Sequence, residues 1–288
     1  PGMDSSSIIA RFEAERQALA LMNHAAIAKV FDAGATLQGR PYFVMEYVKG
    51  VSISEYCDRH RLDTAARLTL FAKVCDGVQH AHQKGIIHRD LKPGNILVSI
   101  DDREEPHPKI IDFGIAKATG QQLTDKSIHT NVGQMIGTPE YMSPEQAEMS
   151  SQDIDTRSDV YSLGVVLYEL LSGRLPFEPE VLRAKGYAEI QRIIREEDPP
   201  KPSARLTTLN GENGGVGSTI ASARQTTVQS LSHTLRSELD WIPLRALRKD
   251  RAERYPSAEA LGADVRRYLR GEALEAGPES LVYRVRKV

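Results

Sequence analysis

"HRDLKPGN" (residues 88–95) places a histidine, an arginine, an aspartate, a lysine and an asparagine within one short stretch, directly after the apolar pair Ile86–Ile87. Bringing that many polar groups against apolar neighbours costs free energy unless each is paired or put to chemical use. Two apolar runs follow, "NILVSI" and "PKIIDFG", and in the second Asp112 starts "DFG" at the strand end. Runs of this length and composition predict short strands.

Asp90, Lys92, Asn95 and Asp112 form a chemically coherent set. Phosphoryl transfer from a nucleotide needs a carboxylate to orient an attacking hydroxyl and receive its proton. It needs oxygen ligands that hold Mg2+ against the phosphates, and a cation that offsets the spreading charge. Asp90, the Asn95/Asp112 pair and Lys92 supply these in that order. Mg2+ keeps several waters, so one carboxylate and one amide suffice.

Upstream, "SIIARFEAERQALALM" (7–22) sets Ile8, Phe12, Leu19 and Met22 at helical spacing. "AIAKVFDAG" and "RPYFVMEYV" read as a strand pair around a glycine-containing turn, "TLQGR". "AARLTLFAKVCDGVQHAHQKG" lines up Leu68, Phe71, Ala72, Cys75 and Val78 on one helical face and stops at Gly85. Downstream, residues 115–140 are polar and too long for a plain connection, which marks a functional loop. Helices resume at Asp159, a candidate N-cap, and again near Tyr187–Arg195. Residues 199–237 are rich in Pro, Gly, Ser and Thr; such composition predicts a mobile insertion, about 203–237. "LDWIPLRALRKD" and "SAEALGADVRRYLRG" close the domain as helices, the last capped by Ser257.

A net charge of −2 leaves no basic field for nucleic acid or a membrane surface. Forty per cent apolar and 26% charged residues are ordinary for a globular chain. Cys57 and Cys75 follow no disulfide or metal spacing, and a reducing cytoplasm fits. "VYSLGVVLYELLSG" (160–173) is too short to span a bilayer and reads as a buried helix. His80 and His82, two apart on a helix, point in different directions and make a poor chelate. No metal site is expected beyond substrate-borne Mg2+.

Six motifs in order resemble the eukaryotic-type (Hanks-type) serine/threonine protein kinases of bacteria, from about Phe12 to Leu269. "VMEYVKG" resembles the adenine-binding hinge, with Met45 as gatekeeper and Glu46 to Val48 as hinge. "HRDLKPGN" is similar to the catalytic loop and "DFG" to the magnesium loop. "GTPEYMSPE" (137–145) resembles the end of the activation segment. "SDVYSLG" (158–164) resembles the helix whose Asp159 braces the catalytic loop, and Arg254 matches the arginine that pairs with Glu145. The resemblance implies an α+β, two-lobe fold with a truncated N-lobe (helix plus strand pair, 1–48) and a mostly helical C-lobe (49–270), followed by a tail or linker (271–288). It implies ATP and Mg2+ as cofactors, and protein Ser/Thr hydroxyls as acceptors. Glu15, Met45, Glu46, Val48 and Leu97 are the implied nucleotide-side residues. His88 is implied to pack and hydrogen-bond, not to act as an acid or base. Lys92 and Thr138 resemble serine/threonine kinases and not tyrosine kinases. Arg89 implies control by phosphorylation in the activation segment, including self-phosphorylation, with Thr124, Ser127 and Thr130 as candidate acceptors.

Such kinases cover the ATP phosphates with a glycine-rich loop and tie them to a helix glutamate through a lysine. Glu15 matches that glutamate, but no lysine precedes it here, and Gly2 is the only glycine before it. "GENGGVG" (211–217) follows no strand, and "GATLQGR" (34–40) sits in a strand turn, so neither is a phosphate cradle. The chain therefore reads as a fragment, inactive by itself, of a cytoplasmic kinase domain whose parent could carry a membrane anchor elsewhere. The alternative is a non-catalytic scaffold binding partners through the C-lobe. A small-molecule phosphotransferase fits less well, because "GTPEYMSPE" resembles a peptide-docking segment.

Overall fold

The computed structural model describes residues 22–36, 41–101, 104–113, 138–148, 154–183, 185–212 and 215–278, with 283 and 287. The expected helix over 7–22, with Phe12 and Glu15, lies outside the described residues apart from Met22. So do Thr124, Ser127, Thr130 and Gly137.

Two short strands come first. β1 (Val30–Ala35) pairs antiparallel with β2 (Pro41–Met45), with an irregularity between Val30 and Asp32. A second sheet holds β3 (Val51–Ser52), β4 (Ile96–Ile100) and β5 (Pro106–Ile110) in that order, all antiparallel. Alternation along β4 turns Ile96 and Val98 into the core and leaves Leu97 half-buried on the other face. Residues 26–28 run beside β5, with Ala28 N–H donating to the Ile110 carbonyl and Ile110 N–H to that of Ala26.

The rest is helical. α1 (Ile53–Arg59) and α2 (Thr64–Gln83) follow β3, and the Asp63 carboxylate caps α2 by accepting from Ala66 N–H at 2.8 Å. Gly85, just past the end of α2, takes a φ of 77°, a conformation that a side chain would strain. After β5 come α3 (Pro144–Ala147), α4 (Thr156–Ser172), α5 (Pro179–Arg183) and α6 (Tyr187–Glu196). α4 is buried along nearly its whole length, which accounts for its apolar sequence, and no described helix is long and apolar enough to cross a membrane. Its N-cap is Asp155, whose carboxylate accepts from Arg157 N–H at 2.7 Å. Asp159 is therefore not the cap, as its position in the sequence suggested. It lies one turn inside, fully buried.

The segment 199–237 corrects the expectation of a mobile insertion. It forms α7 (Pro202–Glu212), α8 (Val216–Ser222) and α9 (Val228–Thr234), and a π-helical turn over Leu235–Leu239 leads into α10 (Trp241–Ala246). Its large apolar residues are sparse, but Leu206, Ile220, Leu231 and Leu235 all join the main core. Buried polar groups add ties. Asp240 accepts from both Ser203 N–H and Ser203 Oγ, and Arg224 donates to the Leu170 carbonyl at the end of α4. Ile220 also packs where Gly173 leaves room. Leu206→Ala is accordingly expected to cost about 2–3 kcal/mol in urea unfolding; a mobile segment would give no measurable change.

α11 (Ala258–Arg270), capped by Ser257, lies against α2. The stretch after it, expected as a tail or linker, makes contacts where it is described. Leu274 is buried in the core, Asp264 accepts from Glu275 and Ala276 N–H, and Tyr283 stacks edge-on against Trp241.

Candidate active site

Residues 86–95 cross between α2 and β4 as a polar loop, and its backbone is held from three sides. The Asp159 carboxylate accepts from His88 N–H and Arg89 N–H, both at 2.8 Å, and from His82 Nε2 at 2.8 Å. On the other side, Gln146 Nε2 donates to the Arg89 carbonyl at 2.8 Å. Below it, Ile111 N–H donates to the Asn95 carbonyl at 3.0 Å.

These contacts explain an otherwise unfavourable backbone. Arg89 has a φ of 66°, in the left-handed region that costs a residue with a Cβ. Such strain persists where the surroundings over-determine it. Here Asp159 fixes the Arg89 amide and Gln146 fixes its carbonyl. Asp112, at the other edge of the site, also has a positive φ, 57°.

His88 is buried and packs on Phe113 with ring centroids 4.7 Å apart. Its Nε2 lies 3.0 Å from the Ile111 carbonyl, so that nitrogen carries the proton and Nδ1 accepts from Asp90 N–H. Burial lowers its pKa, which keeps the ring neutral. This is a packing and hydrogen-bonding role.

Asp90 is half-buried, with its side chain 39% accessible. Lys92 Nζ donates to Asp90 Oδ2 at 2.9 Å and to Thr138 Oγ1 at 3.1 Å, bridging the loop to the residues before α3. Asn95 is buried and turns its Nδ2 to the Asp90 carbonyl, at 2.8 Å, and to Asp90 Oδ2, at 3.2 Å. Its amide oxygen then faces away from Asp90 and has no hydrogen bond among the described residues. Asp112 is exposed and follows Ile111, which is bonded to both His88 and Asn95. An amide oxygen and a carboxylate on adjoining segments are the hard donors that Mg2+ takes. The residues present fit that ion.

The four chemistry-bearing residues of the loop and strand end are thus brought together. Met45, Glu46 and Val48 form the end of β2 and the connection to β3, all half-buried, and Leu97 lies on the β4 face turned from the core. Glu15 lies outside the described residues. Glu46 is more committed than the sequence suggested. Its N–H donates to the Lys29 carbonyl at 2.7 Å, and its carboxylate accepts from Lys29 N–H and Lys109 Nζ. Burial works to raise its pKa, but these contacts outweigh it and the carboxyl falls below its ordinary value. Sequence reasoning passed over His82, Lys109 and Gln146 as partners. Their partners lie 77, 63 and 57 residues away, beyond the reach of local pattern.

A second buried pair anchors α3. Arg254 forks onto Glu145 with two bonds of 2.8 Å and also donates to the carbonyls of Arg248, Arg157 and Lys249. Ser158 Oγ donates to the same carboxylate at 2.6 Å. Burial works against the charge on Glu145 and on Asp159, yet the bonds from Arg254 and from His82 hold both below the ordinary carboxylate range. Depressed carboxyls contribute stability above their unfolded pKa and lose it as pH falls through the folded one. Unfolding stability should therefore decline as pH drops below about 4. Denaturation curves at stepped pH check this, with Glu145→Gln showing a shallower acid slope from a lower starting stability. Stability that held or rose on acidification would contradict the assignment.

Known proteins share this arrangement in sequence. The protein kinase domain family matches residues 3–263. Serine/threonine-protein kinase Pkn1 of Myxococcus xanthus is 41% identical over 197 residues, covering 68% of this chain and 27% of that protein. Serine/threonine-protein kinase PknB of Mycobacterium tuberculosis is 37% identical over 274 residues, 94% of this chain and 37% of the relative. A third, pkn3 of Myxococcus xanthus, is 36% identical over 262 residues, 89% of this chain and 41% of its own length. The chain thus spans well under half the length of each. With a family match across most of its residues and these relatives, the chain belongs to the protein kinase family, among the bacterial serine/threonine kinases.

Proposed function

We propose that this domain transfers the γ-phosphate of ATP to serine and threonine hydroxyls of proteins. One observation carries the reading: the Asp90 carboxylate is held by Lys92 and Asn95 yet remains open to solvent. In that position it can accept a hydrogen bond from an incoming hydroxyl and take its proton as the bond to phosphorus forms. Lys92 places a cation beside the transferred group and, through Thr138, ties the base to the segment where a peptide would lie. Asn95 and Asp112 would hold Mg2+, which when bound offsets phosphate charge. Met45, Glu46, Val48 and Leu97 would face the nucleotide, with Glu15 on the phosphate side.

We infer further that residues 1–288 alone do not turn over. They contain no glycine-rich cradle ahead of the catalytic loop and no lysine for Glu15. A polypeptide supplying both should incorporate phosphate from Mg·ATP into Ser and Thr but not Tyr, and the 288 residues alone should not. Absence of transfer by the longer polypeptide, with no ATP binding, would favour the scaffold reading. Transfer by residues 1–288 alone would show that the missing cradle is dispensable.

A further inference from the structure

We propose that the packed insertion carries a binding site for an oxyanion of the phosphate class. A cavity of about 350 Å3 lies between α7 and α9, lined by Thr207, Val228, Gln229, Ser232, His233 and Arg236. That volume is at the small end of ligand sites. Five of the six residues are polar and none is a carboxylate.

The polar groups are unspent. Ser232 is 6% exposed, and its hydroxyl makes no hydrogen bond among the described residues. That hydroxyl borders the cavity and is open to it. Gln229, His233 and Arg236 are exposed and have neither hydrogen bond nor ion pair among the described residues. Thr207 differs, since its hydroxyl proton goes to the Ala204 carbonyl at 2.8 Å, leaving only lone pairs. The cavity therefore offers a hydroxyl, an amide, an imidazole and a guanidinium as donors.

The backbone supports the same reading. Gln229, His233 and Arg236 follow one another along a single helical run, and Arg236 sits in the π turn over 235–239. Turns of this kind are rare and gather at functional sites. The run continues into α10, so no carbonyl end of a helix opens beside the cavity. A guanidinium fork with a hydroxyl and an amide suits a tetrahedral anion with several acceptor oxygens better than a planar carboxylate. A cation finds no carboxylate here, and an apolar ligand finds only Val228.

The test does not depend on catalysis. Residues 1–288 are titrated with inorganic phosphate, methyl phosphate, O-phospho-L-serine and acetate by calorimetry. Saturable binding of phosphate or its esters is expected, with acetate much weaker. Arg236→Ala should weaken it roughly tenfold or more, and Ser232→Ala by about two- to tenfold. Arg270→Ala, an exposed arginine on another helix, should leave it unchanged. Equal affinity for inorganic phosphate and the esters points to free phosphate as ligand; tighter ester binding points to an esterified source. No saturable binding by the folded chain overturns the proposal. So do acetate binding as tight as phosphate, an unaffected Arg236→Ala, or equal weakening by Arg270→Ala.

Discussion

Asp90→Asn is expected to lower phosphoryl transfer roughly a hundred- to ten-thousand-fold, the usual contribution of a positioned general base. The amide is nearly the same size and keeps an oxygen for Lys92. The bond from Asn95 to the residue-90 carbonyl belongs to the backbone and is untouched. What disappears is the ability to take a proton. Because the side chain is 39% exposed, folding stability should shift by no more than about 0.5 kcal/mol. The measurement is initial-rate phosphate incorporation at saturating Mg·ATP by the longer polypeptide that supplies the glycine-rich cradle and the lysine, alongside urea unfolding of each variant. A variant that keeps its fold and retains more than a tenth of the rate would remove Asp90 from the chemistry. One that loses both would show that the residue is needed for structure first.

Asp159→Ala should have the opposite signature, with stability falling first and activity following. The carboxylate is fully buried and accepts from two backbone amides and a histidine ring. Removing it strands three donors in a site that water does not reach. Breaking a buried charged network of this kind costs about 3–5 kcal/mol. Arg89 would also lose one of the two contacts that hold its left-handed backbone, so the catalytic loop should relax even where the fold survives. Amide exchange gives the local readout. The His88 and Arg89 amides should lose protection beyond the global change. Asp159→Asn should fall between, since its oxygen can serve one side while its NH2 faces a donor on the other. A loss below about 1 kcal/mol for the alanine variant would mean that other contacts hold the loop.

The placement of the candidate site residues was easier to read from sequence than the scaffold around them. Asp90, Lys92, Asn95 and Asp112 are close in the chain and are polar where apolar residues are expected, so composition and spacing exposed them. The buried helix at 156–172 was legible from its apolar run, although its cap was misplaced because Asp155 and Asp159 both suit a helix start. The insertion was misread for a physical reason. Its core contacts come from Leu206, Ile220, Leu231 and Leu235, spaced too widely to give a strong periodic signal. The rest of its packing uses small residues and buried polar ties. Ser203 with Asp240 and Arg224 with Leu170 pair across 37 and 54 residues. The turn-like composition that predicted mobility serves close packing instead.

Gln146 imposes a rule on what may be written at its own position. It closes the capping box of α3, where its Oε1 accepts from Ser143 N–H and Ser143 Oγ accepts from the Gln146 backbone N–H. Glutamate serves equally well in most such boxes. Here the other half of the amide faces the Arg89 carbonyl, which can only accept. A glutamate would keep the cap and turn a second acceptor against that carbonyl. The two residues are interchangeable in the local grammar of a helix start but not in this chain, and the choice between them records that a distant loop is docked there.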